Sequence, residues 1–205
     1  MNPEHIPCHA LIVGPTGCGK TKFIVDQLLG PFLHKFDYIV LLCPTYVNNK
    51  TWDNIGVKDD DFIVDILDPN ELSHHLKFWH KAFPSGGNSD SMQTLLILDD
   101  IACGDDVKKR SSDLVKLAFS GRHDNISVWL LTQQLTSVAK PFRENIGSLV
   151  VFYTPSKSDL EAILSDYGGE ITKQQLQEYM RQLKNNRYNN IIFSLRFPYS
   201  VEYNG

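Results

Sequence analysis

No apolar run in this 205-residue chain approaches the roughly 18 to 20 residues that a membrane-spanning helix needs. The opening stretch MNPEHIPCHA has no basic segment followed by an apolar one, so no secretory leader is expected. The chain therefore reads as soluble and intracellular, with no membrane partner. Its four cysteines, Cys8, Cys18, Cys43 and Cys103, include no C-x-x-C pair. That spacing signals neither a zinc site nor a disulfide framework, and reduced structural thiols are expected. Positive charge is also in short supply: 20 Lys and Arg against 24 Asp and Glu give a formal net charge of −4. This argues against a protein that coats nucleic acid through its overall charge, but leaves room for contact through a few basic loops. Internal repeats and low-complexity tracts are lacking too. Hydrophobic residues at 42% and charged ones at 21% match ordinary globular usage, which removes the disordered class. The length fits one domain over residues 1–205.

What is present is an alternation of strands and helices. The runs at 9–13, 38–43, 62–67, 94–98, 127–132, 148–153 and 190–197 read as strands. Most are near-continuously apolar, as strands covered on both faces should be. Helical patterns fall at 19–29, 70–82, 111–119, 156–166 and 171–184. Strand followed by helix, repeated, predicts an α/β fold: a mostly parallel sheet flanked by helices on both faces. Residues 83–93, FPSGGNSDSMQ, have the composition of a flexible surface loop, and 156–205 supply C-terminal helices and a final strand.

The stretch GPTGCGKT at 14–21 completes the pattern G-x-x-x-x-G-K-[ST] between an apolar strand and a helical pattern. Glycines let the backbone wrap an anion with its N–H groups inward, and the helix adds its positive end. Gly14, Pro15, Thr16, Gly17, Cys18, Gly19, Lys20 and Thr21 are accordingly expected to bind ATP. Lys20 would reach the β- and γ-phosphates, and Thr21 would hold Mg²⁺ through its hydroxyl. A second signal is LLILDD at 95–100, an apolar strand ending in two acids. Asp99 is the expected metal partner, and Asp100 falls where a base or water-orienting group belongs. Third, LLTQQ ends another strand, so that Gln133, or failing it Gln134, should face the γ-phosphate. Arg122 precedes that strand. With parallel strands it lies at the edge away from its own phosphate loop, where it could serve a neighbour's site as an arginine finger, or be a plain surface residue.

Together LIVGPTGCGKT, LLILDD and GRHDNISVWLLTQ resemble the FtsK/HerA branch of P-loop ATPases, and within it the DNA-packaging ATPases of large double-stranded DNA viruses and their virophage and transposon relatives. The resemblance spans about residues 8 to 154, with a weaker match in NIIFSLRFPYSVEY. It implies a RecA-like core with the glutamine strand between the phosphate-loop strand and the acidic strand. It also implies a homo-oligomeric ring, commonly a hexamer, that pulls duplex DNA through its centre without reading sequence. Capsid proteins are implied partners, and the virion or the site of virus assembly the implied location. By position it makes Lys20 and Thr21 the phosphate and Mg²⁺ ligands, Asp99 a member of the metal shell, Asp100 the water activator, Gln133 the phosphate sensor and Arg122 the residue acting across subunits. The wider superfamily usually carries glutamate in place of Asp100; the shorter acid would work through an extra water.

A motor also needs a loop on DNA. Lys108, Lys109 and Arg110 lie in a row soon after the acidic pair and are the expected backbone contacts. The helix with Arg181, Lys184 and Arg187 is a rival surface. His74, His75 and His80 show no phasing with carboxylates. Trp52, Trp79 and Trp129 read as packing residues, and the KDDD run at 58–61 as a solvated turn. Two alternatives remain: a nucleoside or small-molecule kinase, disfavoured by the dispersed arginines, and an ATP-dependent scaffold or switch in virion assembly.

Overall fold

The computed structural model describes residues 1–55, 62–65, 93–99, 113–121, 125–169 and 171–205. Eight strands form one sheet: β1 (Ala10–Val13), β2 (Tyr38–Leu42), β3 (Phe62–Asp65), β4 (Thr94–Asp99), β5 (Ile126–Thr132), β6 (Ser148–Phe152), β7 (Asn190–Ser194) and β8 (Ser200–Asn204), in the order β3-β2-β4-β5-β1-β6-β7-β8. The first six are parallel to one another, and β7 and β8 add on antiparallel. The glutamine strand β5 does lie between phosphate-loop strand β1 and acidic strand β4.

The apolar runs explain this layering. All four residues of β1, six of β4 and seven of β5 are buried, which a strand needs when helices cover both faces. Successive side chains alternate between two cores. Ala10 and Ile12 pack with Phe23, Ile24, Val25 and Leu28 of helix α1 (Lys20–Leu29). Leu11 and Val13 face the other way, onto α2 (Asp113–Ser120), α3 (Lys140–Arg143), α4 (Lys157–Tyr167) and α5 (Lys173–Leu183). Helix α5 shows how local sequence sets this up. Thr172 and Gln175 close a capping box at its start, and Leu176, Met180 and Leu183 form a buried stripe. Each fully buried Leu, Ile or Phe adds about 1.5 to 3 kcal/mol of burial free energy.

One expectation needs correction, and one element was not expected. The strand expected over 190–197 ends at Ser194, and the chain turns at Phe197-Pro198 and returns as β8. Pro198 has no N–H to give a ladder, and β8, on the sheet edge, alternates in exposure too weakly to read as a strand. The short helix α3 begins Lys140-Pro141, with proline in its first turn, and four residues are too few to give a period. The helix expected at 70–82, the turn at 58–61 and the loop at 83–93 lie outside the described residues.

Candidate functional site

The C-terminal ends of β1, β4 and β5 meet at one edge of the sheet, where ligands sit in open α/β folds. The registers put Val13 beside Thr132 and Asp99 beside Leu131. The Gly14 N–H donates to the Thr132 carbonyl at 3.1 Å, which ties the start of the loop to the end of β5.

From there the loop wraps back on itself. Gly17 and Gly19 have φ of 76° and 101°, in the left-handed region that only glycine enters freely. Gly19 then caps α1. At Gly14 the need is space: a Cβ there would come within 2.7 Å of both Cys18 Sγ and Phe152 Cβ. Cys18 is buried beneath the loop. Burial pushes its thiol up, opposed by the charge of Lys20. Lys20 Nζ donates to the carbonyls of Gly14 at 2.6 Å and Pro15 at 3.1 Å. Its ammonium thus sits over the loop.

Across the edge, Thr21 Oγ1 donates to Asp99 Oδ2 at 3.3 Å, although 78 residues separate them. Asp99 is only 5% exposed. The same oxygen accepts from Trp52 Nε1 at 3.1 Å, and Cys43 Sγ lies 3.9 Å from it. Gln133 follows the last residue of β5, on a turn braced by its neighbours. Thr132 Oγ1 donates to the Gln134 carbonyl at 3.1 Å, and Asp159 Oδ1 accepts from Thr136 N–H at 3.0 Å and Thr136 Oγ1 at 2.8 Å.

These groups surround a cavity of about 550 Å³, a fitting size for a small-molecule site. Of the expected residues, Thr16, Gly17, Gly19, Lys20, Thr21, Asp99 and Gln133 line it. Gly14, Pro15 and Cys18 are absent from the lining. Of the two candidate glutamines, Gln133 lines the cavity. Asp100, Lys108, Lys109, Arg110 and Arg122 lie outside the described residues. The flanking Gly121 and Ile126 sit at the start of β5, the edge opposite the phosphate loop.

The sequence reading missed the far wall. Thr45, Asn48, Asn49 and Thr51, from the connection after β2, and Tyr188, before β7, also line the cavity. Tyr188 is exposed, stands over Gly19, and carries the Arg187 guanidinium 4.7 Å from its ring centroid. None of these falls in a motif. The one available signal was position, since residues following β2 must emerge at the same sheet edge as Asp99.

Among the described residues no three His, Cys, Asp or Glu cluster as a metal site. At the expected metal position the oxygens brought together are the Thr21 hydroxyl and the Asp99 carboxylate, both hard donors. That set suits Mg²⁺, which takes one or two protein oxygens and leaves the rest to phosphate and water.

The fold is that of the P-loop ATPases. The chain belongs to the family of the poxvirus A32 protein, whose family model matches residues 4–195. No curated protein matches it in sequence. Among solved structures, the DNA-packaging ATPase B204 of Sulfolobus turreted icosahedral virus aligns with a TM-score of 0.72 at 17% identity, covering 100% of this chain and 98% of its own. The genome-packaging NTPase B204 of Sulfolobus turreted icosahedral virus 2, in complex with ATP-γS, gives 0.68 at 18% identity with coverage of 100% and 98%. The cytoplasmic domain of the type VII secretion ATPase EccC of Thermomonospora curvata gives 0.61 at 12%, covering 97% of this chain and 24% of its own. No helix among the described residues is long and apolar enough to cross a membrane.

Proposed function

We propose that this chain is an ATP-hydrolysing motor that drives double-stranded DNA into a viral capsid, acting as one ATPase domain. The observation that carries the reading is the convergence of Lys20, Thr21, Asp99 and Gln133 on one cavity at the ends of β1, β4 and β5. Membership of the poxvirus A32 protein family and the likeness to viral packaging ATPases over the whole chain support it.

In this reading Lys20 exchanges its two loop carbonyls for the β- and γ-phosphates of ATP, and the N–H groups of the loop and of α1 hold the remaining oxygens. Thr21 and Asp99 hold Mg²⁺, which offsets negative charge on the transferring phosphoryl. Asp100, next to Asp99, orients the attacking water. Gln133 contacts the γ-phosphate and, through the braced turn at 132–137, reports its loss to α4. Arg122 reaches the site of the next subunit in a ring; it precedes in sequence β5, whose first residue, Ile126, lies at the sheet edge opposite the cavity. Lys108, Lys109 and Arg110 hold the DNA backbone without reading bases. The virion or the site of virus assembly is where such a motor works.

The test is Mg²⁺-dependent ATP hydrolysis by the purified protein, with and without linear duplex DNA, beside Lys20→Ala. The reading expects turnover that rises with DNA and is absent from the variant. Phosphoryl transfer to a nucleoside acceptor, or hydrolysis indifferent to DNA by a monomer, would replace it with a kinase or a scaffold.

A further inference from the structure

Trp52 does more than fill space. It is 1% exposed, on the short 3-10 helix Lys50–Asn54 after β2, within the core that includes Ile55, Phe32 and α1. Its indole N–H donates to Asp99 Oδ2 at 3.1 Å, and that oxygen also accepts from Thr21 Oγ1.

We propose that Trp52 is a positioning residue of the nucleotide site, whose indole N–H fixes the Asp99 carboxylate beside Thr21. The inference rests on the role proposed above for Asp99 as a metal partner. An indole N–H can only donate, so it requires a lone pair of the acid at that point and sets the rotation of the carboxyl group. A buried carboxylate is costly without donors, and here one comes from a ring held by packing, which costs little entropy to keep in place. A residue chosen for volume alone would not bring a buried polar hydrogen to the one acid of the described site.

Trp129 supplies the internal contrast. It is fully buried in the same core, packs edge-on against Phe32 at 5.0 Å and Phe36 at 5.8 Å, and its Nε1 has no hydrogen-bond partner among the described residues. Of these two tryptophans in one core, it is Trp52 that is bonded to the acid. The same turn links Asp99 to the far wall, since Thr51 and Asn49 line the cavity and the Thr51 N–H donates to Asn49 Oδ1 at 3.3 Å.

The experiment uses ¹⁵N-indole labelling of the full chain, with Trp79→Phe and Trp129→Phe to assign the three indole signals, followed by Trp52→Phe, which keeps an aromatic ring and removes the N–H. In the metal-free protein the Trp52 indole proton should resonate downfield of that of Trp129. Trp52→Phe should raise the Mg²⁺ concentration for half-maximal hydrolysis about tenfold, as expected for a lost bond to a charged group, while Mg²⁺-free binding of ATP is unchanged. A Trp52 signal with the shift of the unbonded Trp129 would overturn the inference even if Trp52→Phe failed to fold. So would a Trp52→Phe protein that melts at lower temperature yet keeps the wild-type Mg²⁺ dependence, which is the mark of packing alone. The metal-free spectrum reads the bond whether or not the protein hydrolyses ATP, so failure of the functional reading and failure of this inference are seen separately.

Discussion

Lys20 Nζ donates to the Gly14 carbonyl at 2.6 Å, six residues back along the same loop. The lysine at the head of α1 is thereby held over the phosphate loop by oxygens that carry only partial charge. Phosphate oxygens carry full charge and make the stronger partner. Lys20→Ala should lower kcat/KM for ATP about 100-fold or more, in the range seen when a single donor to developing charge is removed. Its melting temperature should stay close to wild type, because the lost bonds are two partly exposed ones. Steady-state kinetics beside a thermal melt would check both halves.

Gly19 caps α1 at φ 101°, and a Cβ there would come within 3.0 Å of Tyr188 Cδ1. Gly19→Ala should cost about 1 to 3 kcal/mol through backbone strain and weaken ATP binding along with stability. Denaturant unfolding and calorimetric titration with ATP should both shift. A change in only one would mean that the turn is not shared between fold and site.

Tyr188 stands beside the loop as an exposed aromatic wall of the cavity. Stacking of a nucleobase on an aromatic ring contributes about 1 to 3 kcal/mol. Tyr188→Ala should therefore raise KM for ATP about tenfold with little change in kcat, and Tyr188→Phe should behave as wild type. Equal losses in both variants would assign the effect to the hydroxyl, which bonds to Arg187.

Arg122 and Asp100 bear on whether the site is completed by a neighbour. Arg122→Ala should bind ATP and fail to turn it over, and so should Asp100→Asn. Mixing the two proteins should restore part of the activity, because some interfaces then combine an intact arginine with an intact acid. No recovery at any ratio, with mixed rings verified by native mass spectrometry, would place the arginine in its own subunit's site or outside catalysis.

Much of this was legible in the sequence because the central strands are apolar throughout. Strands 38–43 and 127–132 were bounded to within a residue, and Asp99 at the end of β4 and Gln133 just after β5 fell at the sheet edge, as a parallel layout requires. Pattern reading failed where no period exists. The edge strand β8 mixes exposed and half-buried residues after Pro198, and α3 is a single turn. The site's far wall was invisible for a related reason. Thr45, Asn48, Asn49 and Thr51 sit in or beside short 3-10 segments that carry no motif, and Tyr188 comes from sequence more than 160 residues beyond Gly19, brought over it only by tertiary packing. Trp52 was read as a packing residue. It is buried as expected, but the direction of its N–H cannot be inferred from composition.

The central claim is that hydrolysis at this cavity moves duplex DNA. Its most direct test is displacement of a third strand annealed to a linear duplex, followed in time with Mg²⁺ and ATP, with ATP hydrolysis measured in the same reaction and Lys20→Ala as the blank. The account predicts displacement that requires hydrolysable ATP, vanishes in Lys20→Ala, and is slower the farther the third strand lies from the duplex end. Brisk DNA-stimulated hydrolysis by an assembled ring that leaves the third strand in place would contradict it.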